Sequence, residues 1–303
     1  MTDNDETPGL PRWADAMRPA SQAGAPGTAL PRTLPVCLTI AGSDSGGGAG
    51  IQADLKTFHA NAVFGISVLT AVTAQNTRAV TAAEDLSIPI IRAQLAAVFE
   101  DFPIAAMKTG MLSSAEIVAE IVRFLSERPH RPPLVVDPVM ISKSGYALLA
   151  PDAVTAIRRQ LLPLATLVTP NRHETGLLAE RPVRNDHDVD EAAARILDLG
   201  PSAVLIKGGH FEGVEAVDLL YDRSSRRPVR DYRAPRIESR NTHGTGCTFS
   251  AAICAWLGRG ASLPDAIDHA KKYLTEAIRH GLNIGHGHGP TNHFYYLTGT
   301  ETP

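Results

Sequence analysis

Cysteine is scarce: Cys37, Cys247 and Cys254 are the only three in a chain of 303 residues. An odd number without paired spacing excludes a disulfide framework. The lack of any Cys-x-x-Cys excludes a zinc knuckle, so the thiols point to a reducing, cytoplasmic setting. Basic excess is also missing. Twenty-nine Lys and Arg stand against 32 Asp and Glu, for a net charge of −3, and the signs are mixed along the chain. That leaves no stripe for nucleic acid and no polybasic helix for a membrane surface. No uninterrupted apolar run approaches membrane-spanning length. No internal repeat and no interdomain linker follows residue 35. Apolar residues, by contrast, make up 44% of the chain, ample for one large α/β domain or two ordinary ones.

Residues 1–34 carry Pro, Gly, Ala, Thr and acidic side chains with little periodic apolar pattern. No basic segment leads into an apolar one, and Asp3, Asp5 and Glu6 are out of character for a mitochondrial transit peptide. A disordered extension is expected there, with a single domain over 35–303.

Beyond it, β-rich runs alternate with helical spacing. Strands are expected at 36–40, 65–72, 104–108, 134–138, 166–169, 203–207 and 216–221. Helices are expected from Ile51, over 88–101, after a Ser113–Glu116 capping box, over 151–161, after Asn171, over 189–199, and from a Ser262–Asp265 cap to near Gly281. The run from Leu134 to Val136 is apolar on both faces, as a strand inside a parallel sheet must be. Such alternation predicts a mostly parallel sheet sandwiched by helices, with ligands at the carboxyl ends of the strands.

Chemistry concentrates in Asn241-Thr242-His243-Gly244-Thr245-Gly246-Cys247-Thr248-Phe249-Ser250, which runs into an apolar helical sequence. Glycines on both sides of Thr245 let the backbone bend and approach a ligand. A helix starting there aims unpaired N–H groups and the positive end of its dipole at an anion, phosphate above all. The same field is expected to favour the Cys247 thiolate. A glycine-rich helix start holding a buried Cys remains the plainer alternative. A second glycine-rich turn, Ala41 to Gly50, follows the first strand. It fits neither the Walker nor the dinucleotide pattern, and reads as a second phosphate loop or as a hinge.

Asp44, Gln75, Lys108, Asp137, Asn171, Glu174, Lys207 and Cys247 all fall just after a strand or at the next helix start. Asp137 before Pro138 suits a turn as well as a ligand. Asn171 and Glu174 suit a helix cap and its capping-box partner as well as a site. Lys207, a cation after four apolar strand residues and before two glycines, is better explained by phosphate than by packing. Gln75 suits the edge of a small polar ring, or a backbone contact. His286, His288 and His293 cluster near the C-terminus, but no Cys or carboxylate frames them as metal ligands.

Together these stretches resemble one family. They are Thr39 to Asp44 with 48–56, Thr73-Ala74-Gln75-Asn76-Thr77, Lys108-Thr109-Gly110-Met111-Leu112, Val136-Asp137-Pro138-Val139-Met140, Thr169-Pro170-Asn171 with Glu174, Lys207-Gly208-Gly209-His210, and Asn241 to Thr248. From Leu38 onward the chain is similar to the hydroxymethylpyrimidine kinase/phosphomethylpyrimidine kinase branch of the ribokinase-like superfamily. Most members of that superfamily carry Gly-x-Gly-Asp where this chain has Gly244-Thr245-Gly246-Cys247, as the pyrimidine-kinase branch does.

The resemblance implies a three-layer α/β/α sandwich and ATP-dependent phosphorylation of 4-amino-5-hydroxymethyl-2-methylpyrimidine, then of its monophosphate. It implies that Gln75 and Asp54 contact the pyrimidine, with Met111 and the Gly42–Asp44 turn nearby. Gly244, Thr245 and Gly246 would form an anion hole beside Cys247 as base. Lys207, Asn171 and Thr242 would meet ATP phosphates, and Glu174, Asn171 and Asp137 would hold Mg²⁺. A monovalent cation is a further candidate, and a homodimer is the expected assembly. The alternatives are a vitamin B6 kinase, since close relatives share the Gly-Thr-Gly-Cys turn, and a non-catalytic pyrimidine-binding protein. Phosphoryl transfer asks mainly for positioning and charge neutralisation, which these residues supply.

Overall fold

Among the described residues, β-branched and apolar runs form nine strands: β1 (Val36–Asp44), β2 (Phe64–Gln75), β3 (Val80–Asp85), β4 (Ile104–Thr109), β5 (Leu134–Val136), β6 (Leu167–Val168), β7 (Ala203–Ile206), β8 (Glu215–Asp222) and β9 (Arg230–Pro235). The helices are α1 (Gly50–Ala60), α2 (Ile88–Asp101), α3 (Ala115–Ser126), α4 (Pro151–Ala156), α5 (Arg172–Ala179), α6 (Asp186–Asp198), α7 (Thr245–Gly258) and α8 (Leu263–Arg279). This computed structural model describes residues 33–140, 148–208 and 213–297. The extension expected over 1–34 therefore lies outside the described residues except for Thr33 and Leu34, as do Gly209 and His210.

The strands make one sheet in the order β3-β2-β1-β4-β5-β6-β7-β8-β9. From β2 to β7 every pairing is parallel. The edges β3, β8 and β9 join antiparallel. Alternate strand residues point to opposite faces, which builds two core layers. Leu38, Ile40, Val136 and Val204 pack with α2, α3, α5 and α6. Cys37, Val135 and Leu205 pack with α1, α7 and α8. The expected α/β class is what the structure has. The chain leaves β1 toward β2 on one side and later returns to β4 on the other. That reversal opens a crevice at the carboxyl ends of β1 and β4, where such sheets bind ligands.

Several local expectations need correction. β1 runs on through Gly42, Ser43 and Asp44, so these residues belong to a strand and the turn begins at Ser45. The cap of α3 is Ser114, whose Oγ accepts the Ile117 N–H at 3.3 Å; Ser113 instead donates to Asp85 Oδ1 at 2.5 Å. β3 and β9 were not anticipated, because their residues are mostly exposed and carry no alternating apolar pattern.

Candidate active site

The carboxyl ends of β1, β2 and β4–β7 open into a cavity of about 660 Å³, a volume suited to a small-molecule site. Gly42, Asp44, Gln75 and Met111 line one end. Thr242 and Gly244 to Cys247 line the middle, next to Asp137, Asn171, Glu174 and Lys207. The structure therefore brings together all but one of the residues expected to meet the pyrimidine, the nucleotide or Mg²⁺.

Asp54 is that exception. It has no solvent exposure and is absent from the cavity wall. Its carboxylate instead accepts from Lys108 Nζ at 2.9 and 3.0 Å and from Thr39 Oγ1 at 2.6 Å. A contact between Asp54 and the pyrimidine is overturned on that ground. Lys108, whose Nζ faces the position a Cβ on Gly110 would take at 3.5 Å, is the member of the pair that reaches the wall. Burial works against its charge, but Asp54, joined by Cys247 and Asp137, outweighs it, so the ammonium is held protonated.

The second glycine-rich turn is not a phosphate loop. Asp44 spends its own carboxylate on it, accepting N–H groups from Gly46 at 2.8 Å, Gly48 at 3.0 Å and Ala49 at 2.8 Å. An anion nest already filled by a side chain has no donors left for a ligand at those positions. Asp44 Oδ2 also lies 3.1 Å from His243 Nε2, which is 3.3 Å from the Gln75 amide. A carboxylate only accepts, so the Asp44 contact uses the Nε2–H tautomer of His243, and the Gln75 amide nitrogen, also a donor, then makes no hydrogen bond to that ring atom. Gln75 stands at the cavity wall beside this pair.

Gly244 is the N-cap of α7, with φ +79°. A Cβ there would run into the carbonyl oxygen of Gly48, so glycine is required both by conformation and by close approach. The first-turn N–H groups of α7 lack intrahelical acceptors; that of Thr245 donates to the Thr242 carbonyl oxygen at 3.4 Å, and Gly246 and Cys247 line the cavity. A Cβ on Gly246 would be 3.5 Å from Lys207 Nζ and 3.7 Å from Asp137 Oδ2, which fixes the helix start beside that pair. The expectation of a Cys247 thiolate fails here. Burial pushes the thiol up to about 12, against the pull of Lys108, because the desolvation of this site outweighs the helix field.

Lys207 Nζ donates to Asp137 Oδ1 at 3.0 Å and lies 3.9 Å from Glu174 Oε2. Burial alone would raise the Asp137 carboxyl, but Lys207 and Lys108 outweigh it and hold it below the ordinary range. Asp137 also accepts from Thr169 Oγ1 at 3.3 Å and Ser250 Oγ at 3.1 Å. Glu174 goes the other way: burial raises its carboxyl to about 7, only partly opposed by Lys207. Asn171 and Glu174 do form the capping box of α5, Asn171 Oδ1 accepting at 3.0 Å and Glu174 Oε2 at 2.7 Å. Capping and site are thus the same residues in one place.

His286, His288 and His293 do not converge, and no cluster of three His, Cys, Asp or Glu suited to a metal occurs among the described residues. His293 is buried with Nε2 3.1 Å from Thr248 Oγ1. Sequence reasoning passed over His243, gave Lys108 no role, and missed Asp218 and Lys271 at the far end of the cavity. Lys108 carried the same signal as Lys207, a cation closing an apolar strand. Asp218 inside a strand and Lys271 inside a helix carried none.

A switch-point cavity with a glycine-capped helix start facing a lysine–carboxylate cluster defines a ribokinase-like small-molecule kinase. Residues 44–292 match the family model described as phosphomethylpyrimidine kinase, and the chain belongs to that family. It is 52% identical to the hydroxymethylpyrimidine/phosphomethylpyrimidine kinase of Rhizobium meliloti (strain 1021), over 86% of this chain and 97% of that protein. A solved phosphomethylpyrimidine kinase from Clostridium difficile superposes with a TM-score of 0.70 at 48% identity, covering 80% of this chain and 99% of that one. A Bacillus subtilis pyridoxal kinase in complex with ADP superposes with a TM-score of 0.80 at 38% identity, covering 88% and 99%.

Proposed function

We propose that this enzyme transfers the γ-phosphoryl group of ATP to the hydroxymethyl oxygen of 4-amino-5-hydroxymethyl-2-methylpyrimidine, and then to the resulting monophosphate, in thiamin biosynthesis. The observation that carries the reading is the continuous cavity from Gln75, past the start of α7, to Lys207. It has a polar ring-reading end, a transfer point and a phosphate end in line. Gln75 and Met111 hold the ring. The N–H groups of Gly244, Thr245, Gly246 and Cys247 receive the transferring phosphoryl, with donors fixed before charge develops. Lys207 and Thr242 meet the donor phosphates.

Cys247 takes the proton of the hydroxymethyl group in the first transfer. Its thiol is held neutral at rest, so it first releases its own proton to water in the cavity that it lines; the ammonium of Lys108 then stabilises the thiolate that takes the hydroxymethyl proton. The second acceptor needs no base, because a phosphate monoester with a second pKa of about 6 is already largely ionised at pH 7.

The donor set fits a magnesium ion. Asp137 and Glu174 offer hard oxygens, and the Lys207 ammonium, a stand-in cation, lies within 4 Å of both. The Glu174 carboxyl, strained upward by burial, gains from a cation close by. Asp137, Glu174 and Asn171 would hold the ion, which when bound neutralises phosphate charge. For a monovalent cation the candidate ligand is Asn241 Oδ1, buried without a hydrogen-bond partner. We infer a homodimer, for which the edge strand β3 offers unpaired backbone groups. We assign the enzyme to the cytoplasm, where ATP and three free thiols are at home.

Purified protein with Mg-ATP should release ADP with either the pyrimidine or its monophosphate. No ADP with either acceptor overturns the proposal. Preferential turnover of pyridoxal in a mixed assay would favour the B6 reading suggested by the Bacillus subtilis structure.

A further inference from the structure

The far end of the cavity holds a buried ion pair outside the chemistry described so far. Lys271 on α8 donates to Asp218 Oδ2 on β8 at 2.6 Å and to the carbonyl oxygen of Ala216 at 3.0 Å. Asp218 Oδ1 accepts the N–H of Gly208 at 2.9 Å, the residue directly after Lys207. The pair therefore sits immediately behind the turn that presents Lys207 to the donor phosphates. On its other side, Leu274, Thr275 and Ile278 continue the face of α8 that begins at Lys271, at spacings of three, four and seven. With Ala234, Pro235, Arg236 and Ile237 they line a slot of mostly apolar character in which, among the described residues, Arg236 is the one charged side chain besides the pair. The Thr275 hydroxyl is spent on the Lys271 carbonyl at 2.8 Å.

Packing does not explain a lysine here. A buried pair is often replaceable by apolar side chains without loss of stability, and the surrounding slot is already apolar. An ammonium has three hydrogens, and two are committed. Lys271 lines the cavity, so the third is the donor it offers there. With Asp218 at 2.6 Å its charge is already matched, so the pair suits a neutral polar group better than another phosphate. Donor and acceptor stand side by side, the combination that a hydroxyl, itself both donor and acceptor, satisfies.

We propose that the Lys271–Asp218 pair reads a ribose hydroxyl of the nucleotide donor, between the phosphates at Lys207 and the base in the apolar slot. Lys271 donates to the hydroxyl oxygen and Asp218 Oδ2 accepts a hydrogen bond from its O–H, so the pair is a specificity determinant for ribonucleotides. This rests on the kinase reading, but binding alone tests it.

The experiment is calorimetric titration of the full chain with ADP, 2′-deoxy-ADP and 3′-deoxy-ADP, with no acceptor present. Wild type should bind ADP about 10-fold or more tighter than one of the two deoxy analogues, the worth of a hydrogen bond to a charged group. In Lys271→Met that preference should shrink to within about 3-fold, through weaker ADP binding. Should Lys271→Met fold poorly because Asp218 loses its partner, Lys271→Met/Asp218→Asn keeps an oxygen for Gly208 and reads the same ratio. A merely structural pair would weaken all three nucleotides alike. Equal binding of all three by wild type, or a preference unchanged in the variants, overturns the proposal. Nucleotide binding without turnover of either pyrimidine would count against the acceptor, not against this pair.

Discussion

Lys207 donates to Asp137 at 3.0 Å, at the one point where the ends of β5 and β7 meet the start of α7. A cation, a carboxylate and the glycine-rich helix start are thereby fixed together at the cavity wall, at the proposed transfer point. Lys207→Ala should lower kcat by about 100- to 1,000-fold through lost electrostatic stabilisation. It should also cost roughly 3–5 kcal/mol of stability, since Asp137 is left buried without its ion-pair partner. Lys207→Met/Asp137→Asn should regain much of that stability in urea titrations without regaining kcat. Recovery of turnover in the double variant would remove the pair from the transfer.

Glu174 should make stability fall as pH rises. Its carboxyl is raised to about 7 in the folded chain, above the ordinary 4.5. The unfolded chain therefore releases its proton first. The loss runs from about pH 4.5 to about 7 and levels off beyond. At 1.36 kcal/mol per unit it amounts to ~3 kcal/mol. Glu174→Gln keeps an oxygen for the Asn171 N–H and removes the titration. Denaturant midpoints at pH 5 and pH 8 should separate for wild type more than for the variant. Parallel pH dependence would contradict the raised carboxyl.

Gly244→Ala forces a side chain into φ +79° against the Gly48 carbonyl. We expect a loss of about 2–4 kcal/mol in unfolding experiments and a large fall in kcat, because the N–H groups of α7 move. Full activity with unchanged stability would show that the α7 start relaxes without consequence.

Cys247→Ala should divide the two transfers. As the proposed base for an alcohol, Cys247 should matter in the first, where kcat should fall by about an order of magnitude or more, with little change in KM. The second acceptor is already ionised, so that step should fall far less. Step-resolved kinetics decide this; equal losses in both would make Cys247 a packing residue. With the thiol held near 12, its alkylation at neutral pH should also be slow.

Legibility in the sequence followed burial. The helix over Ile88–Asp101 was readable to the residue, and so were the caps at Asn171 and Ser262, because short-range pattern determines them. Edge strands β3 and β9 were not readable, since pairing with a neighbour rather than apolar alternation makes them strands. Motif position places Asp54 on the ligand and Asp44 beside it. Only the folded chain shows that Asp44, at the cavity wall, also fills its own loop, and that Asp54 is taken by Lys108, from a strand 54 residues away. Lys271 meets Asp218 across a similar gap of 53. Pairs of that separation leave no local trace.

That one cavity performs both transfers is tested most directly by following products by mass after mixing the pyrimidine with excess Mg-ATP. Monophosphate should rise first and decline as pyrophosphate accumulates. Added pyrimidine should slow the second transfer competitively, with an inhibition constant close to its own KM. Pyrophosphate formation indifferent to added pyrimidine, or no second transfer at all, would contradict a single shared site.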